Sequence, residues 1–397
     1  MKKLLFLLLP LLLSATTVET LVDKALSQHI SLEVIQERLN AEQYQISASR
    51  NFYNPEISFA INDIQFDDIT DRSRERMQTT SVNIKQKIPS FGKRDAATHK
   101  SEAIKQQLMA SLDEAKVALA KEIKVTAYSI WNLAQELNIT QEYIEITRQN
   151  IELNTAYSAT RNDSHMGIMS AELTLSQLKL KKIKFESLQK GMYAKLAYLV
   201  GEKVQDLELS LVMQKPQPYT FYQSQLSNNR TYITKKQEMK VATKEVKVQE
   251  LSGDVDPYVQ VGYFYRQEYK DYLNVSFGMA LPIYGSERDN TESARKVVLS
   301  KSAAQQDYLF ALEGQLGGLY AQLEDSYAVY EVLHSESMPQ IEHMFELTNA
   351  SVKNGQDLFV YIDLLKQKLA LDEQLIAATT KFYITQASLD ALIGVSQ

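Results

Sequence analysis

The chain contains no cysteine among its 397 residues. Without cysteine there is no disulfide framework, no thiolate metal site and no thiol to carry a lipid anchor. Glycine and proline are also scarce, at 13 and 8 residues, although turns and loops normally use both. Because Ala, Leu, Lys, Glu and Gln are abundant instead, the composition favours long helices joined by few turns.

The charge balance lacks the basic excess that nucleic-acid binding requires. The net charge is −6 and the pI is about 5.6, whereas nucleic-acid-binding domains are usually strongly basic. The sequence has no phosphate-binding glycine loop, and its five histidines occur at no spacing typical of a metal site. We therefore expect no enzymatic activity, no cofactor, no metal centre and no nucleic-acid partner.

Long apolar runs are absent after the N-terminus. Residues 1–16 combine Lys2 and Lys3 with an apolar run from Leu4 to Leu13 and small residues after it, which predicts a secretory signal peptide. This run is shorter than the roughly 20 residues of a transmembrane helix, and no later stretch reaches that length. An exported chain of this kind is periplasmic, secreted, or inserted in the outer membrane as strands.

One pattern occurs twice in the chain. IPSFGKRDA at 88–96 matches LPIYGSERDN at 281–290, and the spacing of 193 residues between the copies also separates Gly201 from Gly394. Equal spacing over about a hundred residues predicts two structural repeats of nearly equal length. The predicted boundaries are a first repeat at 17–202, a connector at 203–217 and a second repeat at 218–397.

Before each copy of the pattern, apolar residues alternate with small or polar ones. Ile57, Phe59 and Ile61 show this in the first repeat, and Val275 and Phe277 show it in the second. Period two with one apolar face predicts β-hairpins at about 55–89 and about 257–282, with strands of roughly 9–11 residues. Strands of that length cross a bilayer at a tilt. A half-buried sheet in a soluble protein is the alternative, and the alternation alone also fits it.

After each copy the apolar spacing becomes three and four, as at Ile104, Leu108 and Leu112. The first such stretch has no Gly or Pro for about 60 residues, which is roughly 90 Å of helix. The pattern predicts two long antiparallel helical hairpins with coiled-coil packing, at about 92–200 and about 286–394. Their turns are expected near 159–167 and 353–358. The residues expected to weaken or kink the second hairpin are Gly314, Gly317, Gly318 and Pro339.

The order of these features resembles the TolC-like outer-membrane efflux proteins. A signal peptide, the strand NPEISFAIN, the junction IPSFGKR and the helix end LAYLVG follow one another, and the arrangement repeats. The resemblance covers the whole mature chain. It implies a mainly α fold with a small β-barrel contribution: duplicated long helical hairpins that form a coiled-coil tunnel, and four transmembrane strands per protomer in a 12-stranded barrel shared by a homotrimer.

The resemblance also implies a function and a set of partners. The chain would be the passive exit duct of a tripartite efflux pump, in the bacterial outer membrane and with its tunnel extending into the periplasm. Its partners would be a periplasmic adaptor (membrane fusion) protein, an inner-membrane pump of the RND or ABC type, and outer-membrane lipid. The alternative is a soluble periplasmic coiled-coil adaptor or scaffold protein, which has no use for four bilayer-length strands.

Site residues follow from the resemblance as well. In the family a gate lies at the periplasmic helix tips, where rings of carboxylates favour cations. The candidate gate residues here are Asp363, Asp357 and Glu172, and Lys366 stands where the family has a second acid. The candidate adaptor contacts are Asn162, His165, Gly167 and Gly355. The family usually has glycine at both tips, and the first tip here has Asn162.

The repeated pattern itself is interpreted as a joint between a membrane strand and a tunnel helix. In each copy a proline ends the strand ladder, an aromatic residue lies at the membrane interface, and a glycine permits the turn. The joint residues are Pro89, Phe91 and Gly92 in the first copy and Pro282, Tyr284 and Gly285 in the second.

Overall fold

The computed structural model describes residues 17–158, 165–205, 207–352 and 358–396. These residues form nine α-helices and four β-strands, a mainly helical fold with one small antiparallel sheet, as predicted. The helices are α1 Val18–Gln28, α2 Ile30–Ser49, α3 Lys93–Ser158, α4 His165–Val200, α5 Tyr219–Gln225, α6 Arg230–Ser252, α7 Ser286–Val332, α8 Met338–Val352 and α9 Leu358–Leu392. The strands are β1 Glu56–Asn62, β2 Thr79–Lys87, β3 Pro257–Tyr265 and β4 Tyr272–Met279. The expected signal peptide and the turns that join the long helices lie outside the described residues.

Local sequence accounts for the ends of the helices. The Thr17 hydroxyl accepts a hydrogen bond from the Thr20 amide at 3.3 Å and so caps α1. At their C-terminal ends, α4 and α9 are each followed closely by a glycine with positive φ, Gly201 at 85° and Gly394 at 81°. Glycine adopts this left-handed conformation without steric cost. Both repeats therefore end their last long helix in the same way.

The three glycines of α7 do not interrupt the helix, which continues from Ser286 to Val332. The helical geometry changes further on, where Leu333–Ser337 form a π-helical segment before α8 begins at Met338. Pro339 lies in the first turn of α8. Because proline has no backbone N–H, it donates no hydrogen bond to the carbonyl four residues earlier. That carbonyl belongs to Ser335 in the π segment. The irregularity is thus located at the proline rather than at the glycines.

The four strands form a single antiparallel sheet in the order β1-β2-β3-β4. The register aligns Ile57 with Ile84, Ile84 with Val261, and Val261 with Val275. Because side chains alternate between faces along a strand, this alignment places one apolar row across all four strands. The pairing of β2 with β3 joins the hairpin of one repeat to the hairpin of the other.

The ladders are 7 to 9 residues long, so β1 and β4 are shorter than the predicted strands. Strand β1 ends where Asp63 takes a positive φ of 55°. Beyond it the Arg72 guanidinium donates to the backbone oxygens of Asn62 at 2.5 Å and Thr79 at 3.2 Å. A side chain of the loop thus satisfies carbonyls at the end of the hairpin, in place of further ladder bonds.

The chain divides into two compact units, and each draws on both repeats. The sheet unit comprises Val34–Leu112 and Thr231–Leu309, and it contains all four strands. The helix unit comprises the described residues of Met1–Glu33, Asp113–Arg230 and Phe310–Gln397. One apolar cluster of the helix unit joins three helices, and its buried members are Tyr143 and Ile144 from α3, Ala171 and Leu178 from α4, and Tyr361, Ile362 and Leu365 from α9.

Candidate functional site

One face of the sheet is apolar and exposed. Phe59 and Phe277 are 78% and 77% exposed. At least half of the surface of Ile57, Ile84 and Val275 is also exposed. Soluble monomers rarely expose a continuous apolar surface of this kind. A lipid environment removes the free-energy cost of exposing such rows of apolar side chains.

Toward the middle of the strands, the opposite face of the sheet is small and polar. The register aligns Ser58 with Asn83, Asn83 with Gly262, and Gly262 with Asn274. A Cβ on Gly262 would overlap the Asn83 side-chain amide, so the glycine makes room for the amide beside it. The sheet therefore presents apolar side chains on one face and hydrogen-bonding groups on the other, which is the arrangement of a wall between lipid and water.

The two outer strands leave the sheet open at both edges. Strand β1 pairs only with β2, and β4 pairs only with β3, within the part of the chain that the structure describes. Each outer strand thus has a row of backbone N–H and C=O groups with no strand beside it. Such edges are templates for pairing with another chain, and in lipid they must be paired.

Both joints have the backbone that the repeated pattern suggests. Gly92 and Gly285 have φ values of 87° and 80°, and each stands immediately before a long helix. The Gly92 carbonyl accepts the Ala96 amide at 2.9 Å, which is the first hydrogen bond of α3. Phe91 and Tyr284 are 98% and 92% exposed. Aromatic side chains at the ends of membrane strands commonly lie at the lipid–water interface.

Asp256 is a further residue of the first joint, which the sequence analysis missed. Its carboxylate accepts the Ser90 amide at 2.8 Å and lies 2.9 Å from Lys93 Nζ and 3.6 Å from Lys87 Nζ. Burial alone would raise the pKa of Asp256, but these hydrogen bonds and the two lysine charges lower it below its usual range. Asp256 immediately precedes Pro257, and the Asn54-Pro55 pair of the first repeat was the available signal.

The described candidates for the gate lie on different helices. Asp363 is exposed on α9 and accepts a hydrogen bond from Gln367 at 2.8 Å. Glu172 is exposed on α4, and Lys366 is exposed on α9. Neither Asp363 nor Glu172 forms an ion pair with another described residue. The assignment of these residues to a gate remains a prediction.

The tip candidates are only partly covered by the structure. Gly167 is buried within α4, and His165 is the first residue of that helix. Asn162, Gly355 and Asp357 lie outside the described residues, as does the His165 side chain.

A polar layer borders the apolar cluster of the helix unit, and the sequence analysis missed it as well. The Tyr143 hydroxyl donates to Asp372 Oδ2 at 2.7 Å, and Lys368 lies 3.5 Å from the same oxygen. Lys181 of α4 pairs with Glu373 of α9. Hydrogen bonds and ion pairs thus tie α3 and α4 to α9 at one level, which fixes the register of the three helices.

Glu136 of α3 is the buried acid of this layer. It is 7% exposed, and its Oε2 atom has no hydrogen-bond partner among the described residues. Burial and the nearby Glu373 charge together raise the pKa of Glu136 to about 7, and the Lys181 charge opposes them. The side chain is therefore neutral for part of the pH range in which an ordinary glutamate is charged.

Two kinds of site have no candidate among the described residues. No group of three or more His, Asp or Glu side chains is placed to hold a metal ion. No helix in the described ranges is both long enough and apolar enough to cross a membrane.

Comparison with known proteins gives one family and one fold. Residues 21–202 match the outer membrane efflux protein family. No curated protein sequence matches the chain significantly. Among solved structures, the outer membrane protein VceC from Vibrio cholerae is similar with a TM-score of 0.78 and 14% identity, over 95% of this chain and 96% of that one.

Two further solved structures have the same arrangement. The open state of the MtrE outer membrane channel from Neisseria gonorrhoeae has a TM-score of 0.76 and 15% identity, over 96% of this chain and 89% of that one. The CmeC outer membrane channel from Campylobacter jejuni has a TM-score of 0.75 and 13% identity, over 95% and 85%. At such identities the likeness shows the fold. Together with the match of the first repeat to the outer membrane efflux protein family, this shared fold confirms the resemblance seen in the sequence.

Proposed function

We propose that three copies of this chain form the outer-membrane exit duct of a tripartite efflux pump. The observation that carries the proposal is the sheet, which exposes an apolar face and leaves both edges unpaired. Lipid covers the apolar face, and the β4 edge of one copy pairs with the β1 edge of the next. The family match adds the outer-membrane location and the role in efflux.

Barrel closure limits the number of copies in this proposal. Four strands are too few for a barrel, because the smallest outer-membrane barrels have about eight strands. A head-to-tail contact repeated by a threefold axis closes a ring of 12 strands, and no edge then faces lipid. Transport through such a duct is passive. The sequence has no nucleotide-binding loop, so an inner-membrane pump would supply the energy through a periplasmic adaptor.

The apolar row also separates this proposal from a soluble adaptor or scaffold. A soluble protein would have to leave Phe59, Phe277 and their neighbours in water, at a cost of about 25 cal/mol for each Å² of apolar surface. The VceC, MtrE and CmeC structures share the fold over nearly the whole chain and are described as outer membrane proteins or channels.

The gate is assigned to the helix tips, with Asp363 as its best candidate. A threefold axis would bring three Asp363 carboxylates into one ring, which attracts cations and repels anions. Lys366, one turn further along α9, limits that negative potential. The conductance therefore depends on the charge of the side chain at position 363 and not only on the size of that side chain.

The test is single-channel recording of detergent-extracted protein in planar bilayers, after native mass spectrometry has established its oligomeric state. We expect a trimer with cation-selective channels, and a lower cation-to-anion permeability ratio for Asp363→Asn. Gln367→Glu, which adds a charge one turn away on the same helix, is the matched opposite and should raise that ratio. A water-soluble monomer that forms no channels would overturn the duct. A trimeric channel whose selectivity is unchanged in both variants would overturn only the gate assignment.

A further inference from the structure

The sheet unit contains a groove lined by residues of α2, α3 and α6, together with Arg50, which directly follows α2. Its volume is about 720 Å³, which falls within the range of small-molecule sites. Side-chain contacts hold the three helices together around it. The hydroxyls of Ser49 and Thr98 lie 2.9 Å apart, and Lys100 of α3 pairs with Glu245 of α6 at 2.5 Å. All of the lining residues belong to this one unit of a single copy.

The lining of the groove is cationic, although the chain as a whole has a net charge of −6. Its lysines and arginine are Arg50, Lys105, Lys240 and Lys244. The carboxylate of the lining is Glu102, which accepts hydrogen bonds from His99 at 3.1 Å and from Arg50 at 3.3 Å. With His99 neutral, four cations face one carboxylate that is already hydrogen-bonded. The groove therefore attracts anions.

Helix α6 supplies the part of this charge that no carboxylate offsets. Lys236, Lys240 and Lys244 follow one another at a spacing of four residues, so they share one stripe of the helix. None of the three forms an ion pair with another described residue, and the acids of α6 pair elsewhere: Glu238 with Lys301, Glu245 with Lys100 and Glu250 with Arg295. Like charges at this spacing destabilise a helix. A local rule that is broken without compensation is typical of a functional site, and a bound anion would remove the repulsion.

The floor of the groove is apolar. Ile46 of α2 is 5% exposed, and Ala103 and Met109 of α3 lie beside it in the lining. Lys105 has a neutral partner, the side-chain oxygen of Gln43 at 2.5 Å, so no carboxylate offsets its charge. A ligand in the groove therefore meets cations and apolar surface together, which suits a molecule with one anionic end and one apolar end.

We propose that this groove binds an amphiphile with a phosphate head group. A phosphate monoester carries a charge of about −1.5 to −2 at neutral pH and three acceptor oxygens. It therefore suits the four cations of the lining better than a singly charged carboxylate does. Lysine and arginine are both common ligands of phosphate. The apolar body of the ligand covers Ala103 and Met109. The proposal goes beyond the duct, because the groove is built by one copy.

The test uses naphthyl phosphate, a fluorescent and water-soluble molecule that combines a phosphate monoester with an apolar body. It is titrated into the protein in phosphatidylcholine nanodiscs, and the signal of empty nanodiscs is subtracted. We expect naphthyl phosphate to bind at least about tenfold more tightly than inorganic phosphate, measured by competition, because the ring is buried on the apolar floor. Naphthol, which lacks the charge, should not bind above the background of empty nanodiscs.

Three variants locate the bound probe. Lys240→Gln combined with Lys244→Gln should weaken binding about 30-fold. Lys247→Gln combined with Lys296→Gln is the matched control, because it removes the same charge from exposed positions of the sheet unit outside the groove. Its effect should stay below about twofold, since salt screens distant charges. Ala103→Trp fills the floor, keeps every charge and should abolish binding. Circular dichroism checks that each variant is folded.

Nanodiscs that contain phosphatidic acid show whether the phosphate comes from a membrane lipid or from a soluble molecule. Loss of probe binding in these nanodiscs identifies a lipid head group in the groove, and unchanged binding identifies a soluble phosphate ester. Equal weakening by the two lysine pairs overturns the groove, as does full binding by folded Ala103→Trp. Equal affinity for inorganic phosphate overturns the amphiphile. A trimeric channel that does not bind the probe overturns the groove and leaves the duct in place, whereas a protein that binds the probe and forms no channel overturns only the duct.

Discussion

At the scale of single residues, Glu136 is an acidic side chain buried away from water. It is buried beside Glu373 and Lys181, and one of its carboxylate oxygens has no partner among the described residues. A buried acid with a raised pKa opposes folding when it must ionise. Glu136 therefore makes the stability of the helix unit depend on pH, and it does not add to stability at neutral pH.

The direction in which stability changes with pH follows from proton binding. The pKa of Glu136 rises from 4.5 to about 7 in the folded chain, so between these values the folded state holds a proton that the unfolded state has released. Stability is fully present below pH 4.5 and falls as the pH rises through 7. Glu136→Gln should remove this dependence and raise the free energy of unfolding at pH 8 by about 1–2 kcal/mol, after allowance for solvent screening.

Thermal unfolding monitored by circular dichroism from pH 5 to pH 8 measures this effect. Glu142→Gln is the matched control, because Glu142 is exposed on the same helix, and it should reproduce the wild-type profile. A Glu136→Gln profile parallel to that of the wild type would show that Glu136 ionises normally in the folded protein.

At the scale of elements, the turn into each long helix depends on backbone conformation and not on packing. Gly285 has a φ of 80°, and a Cβ added there would meet no atom within 4 Å. Gly314, within α7, has equally open surroundings and a helical backbone. Gly285→Ala should lower the free energy of unfolding by about 1–2 kcal/mol because of the left-handed conformation, whereas Gly314→Ala should raise it by about 0.5–1 kcal/mol. Chemical denaturation in detergent compares the two variants. A loss of stability in both would show that contacts of the added Cβ, rather than the φ angle, determine the change in stability.

The same elements show how far sequence reasoning extends. Periodicity predicted α3 and α9, because neither contains a Gly or Pro and tertiary packing reinforces their pattern. The layer of Glu136, Lys181 and Glu373 was not predictable in this way. Its residues come from three helices, and their meeting depends on the register of those helices, which single-helix periodicity does not specify. Likewise, the end of β1 depends on a side chain of the loop, Arg72, which alternation along the strand does not indicate.

At the scale of the whole molecule, the sheet has no strand beside either of its outer strands among the described residues. A four-stranded sheet is too small to close on itself, so it cannot pair its own edges. In the proposed assembly, neighbouring copies pair the edges of β1 and β4, which the described residues of one chain leave unpaired. We therefore infer that the stability of the folded chain in its working state depends on assembly.

The two faces of β2 provide the sharpest test of that inference. Ile84 lies in the apolar row and is 50% exposed, and Asn83, its neighbour, lies on the polar face. Ile84→Lys should cost about 2–4 kcal/mol if the position faces the middle of the bilayer, and it should deplete the proposed trimer in outer-membrane fractions. Asn83→Lys introduces the same charge on the face where Lys85 already lies, paired with Glu56 at 3.1 Å, so its trimer should assemble in wild-type amounts.

Equal depletion in the two variants would mean that the sheet is disturbed by any lysine. Normal assembly of Ile84→Lys would mean that the apolar row does not face lipid, and the membrane orientation of the sheet would then be wrong.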